Sequence, residues 1–316
     1  MRLVAVTPNP SIDRLYELDR LRIGAVNRPR VETLVAGGKG LNVARVATAL
    51  GTEVAVVALV AGHAGRWLVE AIAAEGIAGR YAWAPGETRT CLAIHDAGDD
   101  TLTELNEAGP TVSGDHWTGL LTALGQELEA GAAALVTISG SLPPGAPADG
   151  LAQLASTAAR FDVPVALDAG GPALGLALET RPWLVKLNVA EARSALAEGA
   201  EATFEAAAAA ATQIAARTGG AVIVTQGVEG AVAVGPDRAR YRVGPPSTRG
   251  PFPVGSGDAF LAGVATATLH GGSFVDALRQ GAAAAAANAH VRGAGRLDPA
   301  EVERLLPDIG IEVFGA

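Results

Sequence analysis

The chain has 316 residues, 49% hydrophobic, 18% charged and 4% aromatic, a balance that suits a buried core and excludes a disordered, collagen-like or disulfide-stapled protein. A formal charge of −9 disfavours nucleic acid and anionic membrane surfaces as partners, and the one cysteine, Cys91, allows no internal disulfide. The longest uncharged stretch, 130–148, is interrupted by Pro143, Pro144 and Pro147 and cannot cross lipid as one helix; with too short an apolar run before Pro8 for a signal peptide, the expected location is the cytoplasm.

In chain order, apolar runs rich in β-branched residues predict strands at 3–6, 54–59, 134–138, 163–167, 184–187 and 222–224. Helical periodicity fills 41–50, 65–75, 149–160, 190–196 and 204–218 between most of them. Short strands alternating with helices build βαβ units, so the expected fold is α/β: a mostly parallel central sheet with helices on both faces. From Asp258 onward the pattern is consecutive helices broken at Gly271, Gly272 and Gly293. Two segments break the alternation. Residues 11–34 mix charged and apolar positions like a strand pair with one wet face, and 88–107 read as a hairpin around 98–100. Together they predict a small β-sheet lid at the carboxyl ends of the core strands, where open α/β sheets bind ligands. The whole chain, 1–316, is expected to be one domain.

Three motifs, two of them glycine-bearing, carry candidate chemistry. Gly255-Ser256-Gly257-Asp258 precedes an apolar helix, and its backbone N–H groups together with the helix start suit an anion such as phosphate. Asp258 is either the N-cap of that helix or a base that takes a hydroxyl proton beside the anion site. Gly37-Gly38-Lys39-Gly40-Leu41-Asn42 is either a turn into a helix or a close approach of backbone to ligand; it fits neither the Walker A nor the dinucleotide spacing. Lys186-Leu187-Asn188-Val189-Ala190-Glu191 ends a strand. Its Asn188 and Glu191 are either a capping box or a pair that holds water around Mg²⁺. Thr225, Gly227 and Gly230 close one strand and Ser139 another at the same sheet edge, while Asp13 and Arg89 lie in the two lid segments. Of the 24 basic residues only Lys39 and Lys186 are lysine, so each marks either a place that needs a compact ammonium or a survivor of codon bias. The five histidines lack zinc spacing, and no G-x-S-x-G elbow is present.

With these pieces assembled, the sequence resembles the PfkB branch of the ribokinase-like carbohydrate kinases. AGGKGLNVARVATALG and PVGSGDAFLAG resemble the two signatures of that family, and TPNPSID, GETRTC, TELNEAGP, SGSLPPG, VKLNVAE and VTQGVEGA match in order over nearly the whole chain. Within the family they are similar to the group acting on phosphorylated ketohexoses, the 1-phosphofructokinases and tagatose-6-phosphate kinases. The resemblance implies a ribokinase-like fold and ATP-dependent conversion of fructose 1-phosphate to fructose 1,6-bisphosphate. Tagatose 6-phosphate is the alternative acceptor, and a non-catalytic sugar-phosphate sensor is the alternative of another class. It implies Asp258 as base, with Gly255, Ser256 and Gly257 as the anion hole. Asp13, Gly38, Lys39, Asn42 and Ser139 would hold the sugar, and Arg89, with Lys39, the phosphate already on it. Lys186, Asn188 and Glu191 would serve ATP and Mg²⁺, the metal through water, with Thr225, Gly227 and Gly230 flanking the nucleotide and Asn288 near its adenine. A homodimer through the lid is implied as well. Leu187, Ala259 and Pro253 depart from the commonest family residues, which are Pro, Ser and Thr at those places.

Overall fold

The first strand, β1 (Arg2–Thr7), sends Leu3 and Ala5 into one hydrophobic cluster and Val4 and Val6 into a second, so the sheet it belongs to is covered on both faces. This computed structural model describes residues 1–196, 203–245 and 248–315. After β1 come β2 (Ser11–Leu18), β3 (Val31–Gly37), α1 (Lys39–Ala49), β4 (Glu53–Ala61), α2 (Gly62–Ala74), β5 (Ala78–Ala84), β6 (Arg89–Asp96) and β7 (Thr101–Asn106). The middle of the chain forms α3 (Gly114–Glu129), β8 (Ala133–Ser139), α4 (Gly150–Ala159), β9 (Val165–Asp168), α5 (Pro172–Leu178), β10 (Leu184–Asn188), α6 (Val189–Leu196), α7 (Phe204–Thr218) and β11 (Ala221–Thr225). It closes with β12 (Ala231–Val234), β13 (Arg240–Val243), α8 (Ser256–Leu269), α9 (Phe274–Ala289), α10 (Pro299–Leu305) and β14 (Ile311–Val313).

Ten strands form the large sheet in the order β14-β13-β12-β11-β10-β9-β8-β1-β4-β5. From β11 to β5 every pairing is parallel, and β12, β13 and β14 extend one edge antiparallel. The fold class read from the sequence therefore holds, and the six predicted strands are all present. The antiparallel edge and β5 are additions: β12, β13 and β14 are only three or four residues long, and β5 (AGRYAWA) mixes small, charged and aromatic residues.

Apolar side chains from α1, α2, α8, α9 and α10 pack on one face, and those from α3 to α7 on the other. The alanine runs in α7 and α9 keep helices close to their neighbours; Ala282, Ala283, Ala284, Ala286 and Ala287 are all buried. No described helix is long and apolar enough to cross a membrane.

The chain leaves β1 toward β4 and β5 on one side and returns to β8, β9, β10 and β11 on the other. The two directions part between β1 and β8, and a crevice opens outside the carboxyl ends of strands at such a switch. The second sheet stands over it, with β3-β2-β6-β7 in order. Its strands lie in the two segments that break the alternation, except that β3 runs three residues past 34; β2 pairs antiparallel with β3 and parallel with β6.

Candidate active site

Helix α8 begins at a glycine turn. Gly255 has φ +84°, and a Cβ there would meet the backbone N of Gly295 at 2.7 Å, so a side chain is barred by conformation and by contact. Ser256 N–H donates to Pro253 O, and Ala259 N–H donates to Gly255 O. The N–H groups of Gly257 and Asp258 have no backbone acceptor among the described residues. Of the anion hole expected from Gly255, Ser256 and Gly257, the Ser256 N–H is spent on the turn, whereas the N–H of Gly255, like those of Gly257 and Asp258, has no backbone acceptor among the described residues.

Asp258 lies in the first turn of α8 and is 6% exposed, yet it caps nothing. Its Oδ2 accepts from Asn42 Nδ2 at 2.8 Å. Burial and the charge of Asp168 push its carboxyl up to about 7, against the pull of Lys186, Lys39 and the Asn42 hydrogen bond. A carboxyl poised near neutrality beside free N–H donors is suited to accept a proton from a hydroxyl while charge gathers on a neighbouring phosphoryl group.

Both lysines of the chain converge here. Lys39 Nζ, at the start of α1, lies 2.8 Å from Asp168 Oδ1 and 2.7 Å from Glu191 Oε1. Lys186 Nζ lies 2.8 Å from Asp168 Oδ2. It also stands over the anion turn, where a Cβ on Gly257 would come within 2.8 Å of it. Asp168 ends β9 and is wholly buried. Burial would raise its pKa, but the two ammonium groups outweigh it and hold the carboxyl below its ordinary range. Burial likewise works against the charge of Lys39, and Asp168, Glu191 and Asp258 overcome it and raise its pKa.

A cleft of about 620 Å³ lies between this cluster and the small sheet. Asp13, Lys39, Asn42, Arg89, Cys91 and Asp258 all line it. Asp13 is fixed by the Ser11 hydroxyl, which donates to Oδ1 at 2.6 Å, and burial raises its pKa. Gly38 has φ +99° and forms the turn between β3 and α1. Arg89 donates from Nε and Nη2 to Asn9 O and from Nη1 to Glu107 O, and has no carboxylate at ion-pair distance among the described residues. Its charge therefore stays available to an anion in the cleft.

Of the residues read as nucleotide-side, Lys186 and Glu191 join the cluster through Asp168 and Lys39. Asn188 and Glu191 form the capping box, each side chain accepting from the other's backbone N–H at 2.9 Å. Asn188 pairs in register with Thr225, whose hydroxyl donates to Leu187 O. Gly227 and Gly230 bound a short turn after β11. Ser139, in register with Asp168, has a buried hydroxyl without a partner among the described residues. Asn288 is wholly buried, donates to Val254 O at 2.9 Å and Ser256 Oγ at 3.3 Å, and accepts from Arg296 N–H. It braces the 254–256 turn. No cluster of three or more His, Cys, Asp or Glu suited to a metal occurs among the described residues.

Sequence reading missed Asp168. The available signal was an aspartate closing an apolar strand at the same sheet edge as Ser139 and Lys186.

The family model for pfkB family carbohydrate kinases matches residues 6–301. A 1-phosphofructokinase of Rhodobacter capsulatus is 37% identical over 274 residues, covering 86% of this chain and 85% of that one. The tetrameric inhibited form of Escherichia coli phosphofructokinase-2 superposes with a TM-score of 0.88 at 26% identity, over 97% of this chain and 98% of that one. A possible 1-phosphofructokinase of Thermotoga maritima shares the fold, with a TM-score of 0.89 at 24% identity and full coverage of both chains.

Proposed function

The chain belongs to the pfkB family of carbohydrate kinases, and from that premise we propose that its acceptor is fructose 1-phosphate, converted with ATP to fructose 1,6-bisphosphate and ADP. The observation that carries the choice of a phosphorylated sugar is Arg89. Its guanidinium lines the same cleft as Asp258, held by backbone carbonyls and by no carboxylate among the described residues. A neutral sugar would leave that charge facing an empty end of the cleft, whereas a phosphate supplies its partner.

The sugar lies between Asp13 and the α1 turn, with its C6 hydroxyl against Asp258. Asp258 accepts the hydroxyl proton as the sugar oxygen bonds to the terminal phosphorus of ATP and the bond to ADP breaks. The free N–H groups of Gly257 and Asp258, with Lys186 above the turn, bind the oxygens of the moving phosphoryl group. Lys39, between Asp168 and Glu191, turns toward either phosphate. Ser139 stands with its unpartnered hydroxyl at the sugar side, and Thr225, Gly227 and Gly230 flank the nucleotide.

Mg²⁺ is in keeping with this donor set. Glu191 and Asn188 offer hard oxygens, and each already spends one lone pair in the capping box, so they would hold the ion through water. The ion would neutralise charge on the ATP phosphates. The small sheet acts as the lid over one kinase unit and as the contact in a homodimer. Exposed Leu102 and Leu105 on β7, and Ile23 and Val26 between β2 and β3, supply apolar surface for a second copy. The enzyme works in the cytoplasm, where ATP and sugar phosphates are held.

Steady-state kcat/KM on fructose 1-phosphate, tagatose 6-phosphate, fructose and ribose tests the reading. The highest value is expected for fructose 1-phosphate. A higher value for tagatose 6-phosphate reassigns the acceptor, and a preference for either free sugar overturns the phosphate site.

A further inference from the structure

A buried arginine stands behind the base. Arg45 is three residues after Asn42 on α1, so the two side chains share a helix face. Its Nη1 donates to Asn42 Oδ1 at 3.4 Å, and the Asn42 amide donates in turn to Asp258 Oδ2 at 2.8 Å. Only one orientation of the Asn42 amide satisfies both bonds, oxygen toward Arg45 and nitrogen toward Asp258. Without the arginine, only the Asp258 carboxyl itself selects the amide end that faces it, and in its protonated form it can donate to the amide oxygen.

The same guanidinium reaches three other places. Nη2 donates to Ala36 O at 2.6 Å, at the end of the strand that leads from the small sheet into α1. Nε and Nη2 grip Glu75 at 2.6 and 3.1 Å. Nη1 also reaches Ala294 O at 3.5 Å. Ala294 and Gly295 are the residues that wall the Gly255 turn, and a Cβ on Gly295 would strike Asn42 Cα at 2.7 Å. Arg45 thus touches the amide beside the base, the strand end that leads into the cleft, and the segment backing the anion turn. It is 9% exposed and lines no part of the cleft, so it meets neither substrate.

We infer that Arg45 is a positioning residue for phosphoryl transfer, which fixes the Asn42 amide so that its N–H faces Asp258 and holds the anion turn in register with it. This rests on Asp258 being the base. Asp258 is faced by Lys39 and Asn42 from α1, Asp168 from β9 and Lys186 from β10. Loss of Arg45 leaves the three charged groups in place and frees the amide to turn its oxygen toward the carboxylate. An N–H donor favours the ionised form and an oxygen disfavours it, so the base becomes harder to ionise.

The test is the pH dependence of kcat for Arg45→Met and Arg45→Lys, with KM for both substrates and Tm measured alongside. Lysine keeps a charge for Glu75 but lacks the fork that reaches Asn42, Ala36 and Ala294 together. Expected for both is a kcat about tenfold lower or more, KM values within about twofold, and an acid limb moved about half a unit or more to higher pH. If Arg45→Met does not fold, Arg45→Lys alone carries the measurement. A lower Tm with unchanged kcat and an unmoved acid limb overturns the inference and leaves Arg45 as a structural anchor. Asp258→Asn keeps the two failures apart: retained turnover there removes the base itself, while silent Arg45 variants beside an inactive Asp258→Asn remove only the positioning role.

Discussion

Lys39 and Lys186, the only lysines in the chain, hold the two oxygens of one carboxylate, each Nζ lying 2.8 Å from Asp168. A compact ammonium takes less room than a planar guanidinium, and a Cβ on Gly257 would already come within 2.8 Å of Lys186 Nζ. The two lysines of an arginine-rich chain thus coincide with one crowded carboxylate. The charges alternate across the site, from Glu191 to Lys39 to Asp168 to Lys186, with Asp258 next to them.

Asp168→Asn breaks that alternation. It leaves two partly compensated ammonium groups where water is scarce, and removing one partner of a buried ion pair costs about 3 kcal/mol or more. The charge of Asp168 is also one of the causes that raise the Asp258 carboxyl. The expected outcome is a lower Tm together with an acid limb of kcat displaced to lower pH. An acid limb that stays in place would mean the two carboxyls do not sense each other.

Asp258 also sets a pH dependence of stability. Its carboxyl is raised from 3.8 to about 7 in the fold, so between those values the folded chain holds a proton that the unfolded chain has released. Stability from this group is therefore full below the lower value, declines as pH rises to about 7, and is level above it. Asparagine at this position removes the decline. The Tm difference between Asp258→Asn and the native chain should grow in favour of the variant from pH 4.5 to pH 7 and then remain constant. Calorimetry across that range checks it, and a difference that is flat with pH contradicts the raised carboxyl.

Arg89→Ala should act on binding. Its three hydrogen bonds go to the carbonyls of Asn9 and Glu107, so the side chain is held in place without spending its charge. Loss of a charge-assisted contact to phosphate is expected to raise KM for the phosphosugar about tenfold or more, with kcat little changed. Kinetics on fructose 1-phosphate read the effect directly. An unchanged KM would place the phosphate elsewhere in the cleft.

Much of this was legible in the residues. The alternation of apolar runs and helical periods predicts the parallel core because each unit is set by local pattern, and the outlying segments predict the small sheet because their polarity fits one wet face. Strands β12 to β14 were not legible, since runs of three or four residues become strands only beside an existing edge. The glycine motifs locate the site because glycine is required where Gly255 and Gly38 turn. Asp168 stayed hidden because an acid that closes an apolar strand does not by itself name its partners; its meaning comes from lysines 129 and 18 residues away in sequence. Ser256 shows the opposite effect. It lies in a recognisable motif, yet a backbone contact decides what it does: its N–H closes a turn onto Pro253 O, and the Asn288 amide donates to Val254 O in the same turn.

The most direct measurement is single-turnover phosphoryl transfer by Asp258→Asn, with ATP and fructose 1-phosphate affinities determined on the same preparation. The expected result is transfer slowed by about a hundredfold or more with both affinities within about threefold of native, because the amide keeps the shape of the carboxyl and cannot take a proton. Transfer at a near-native rate would contradict the account.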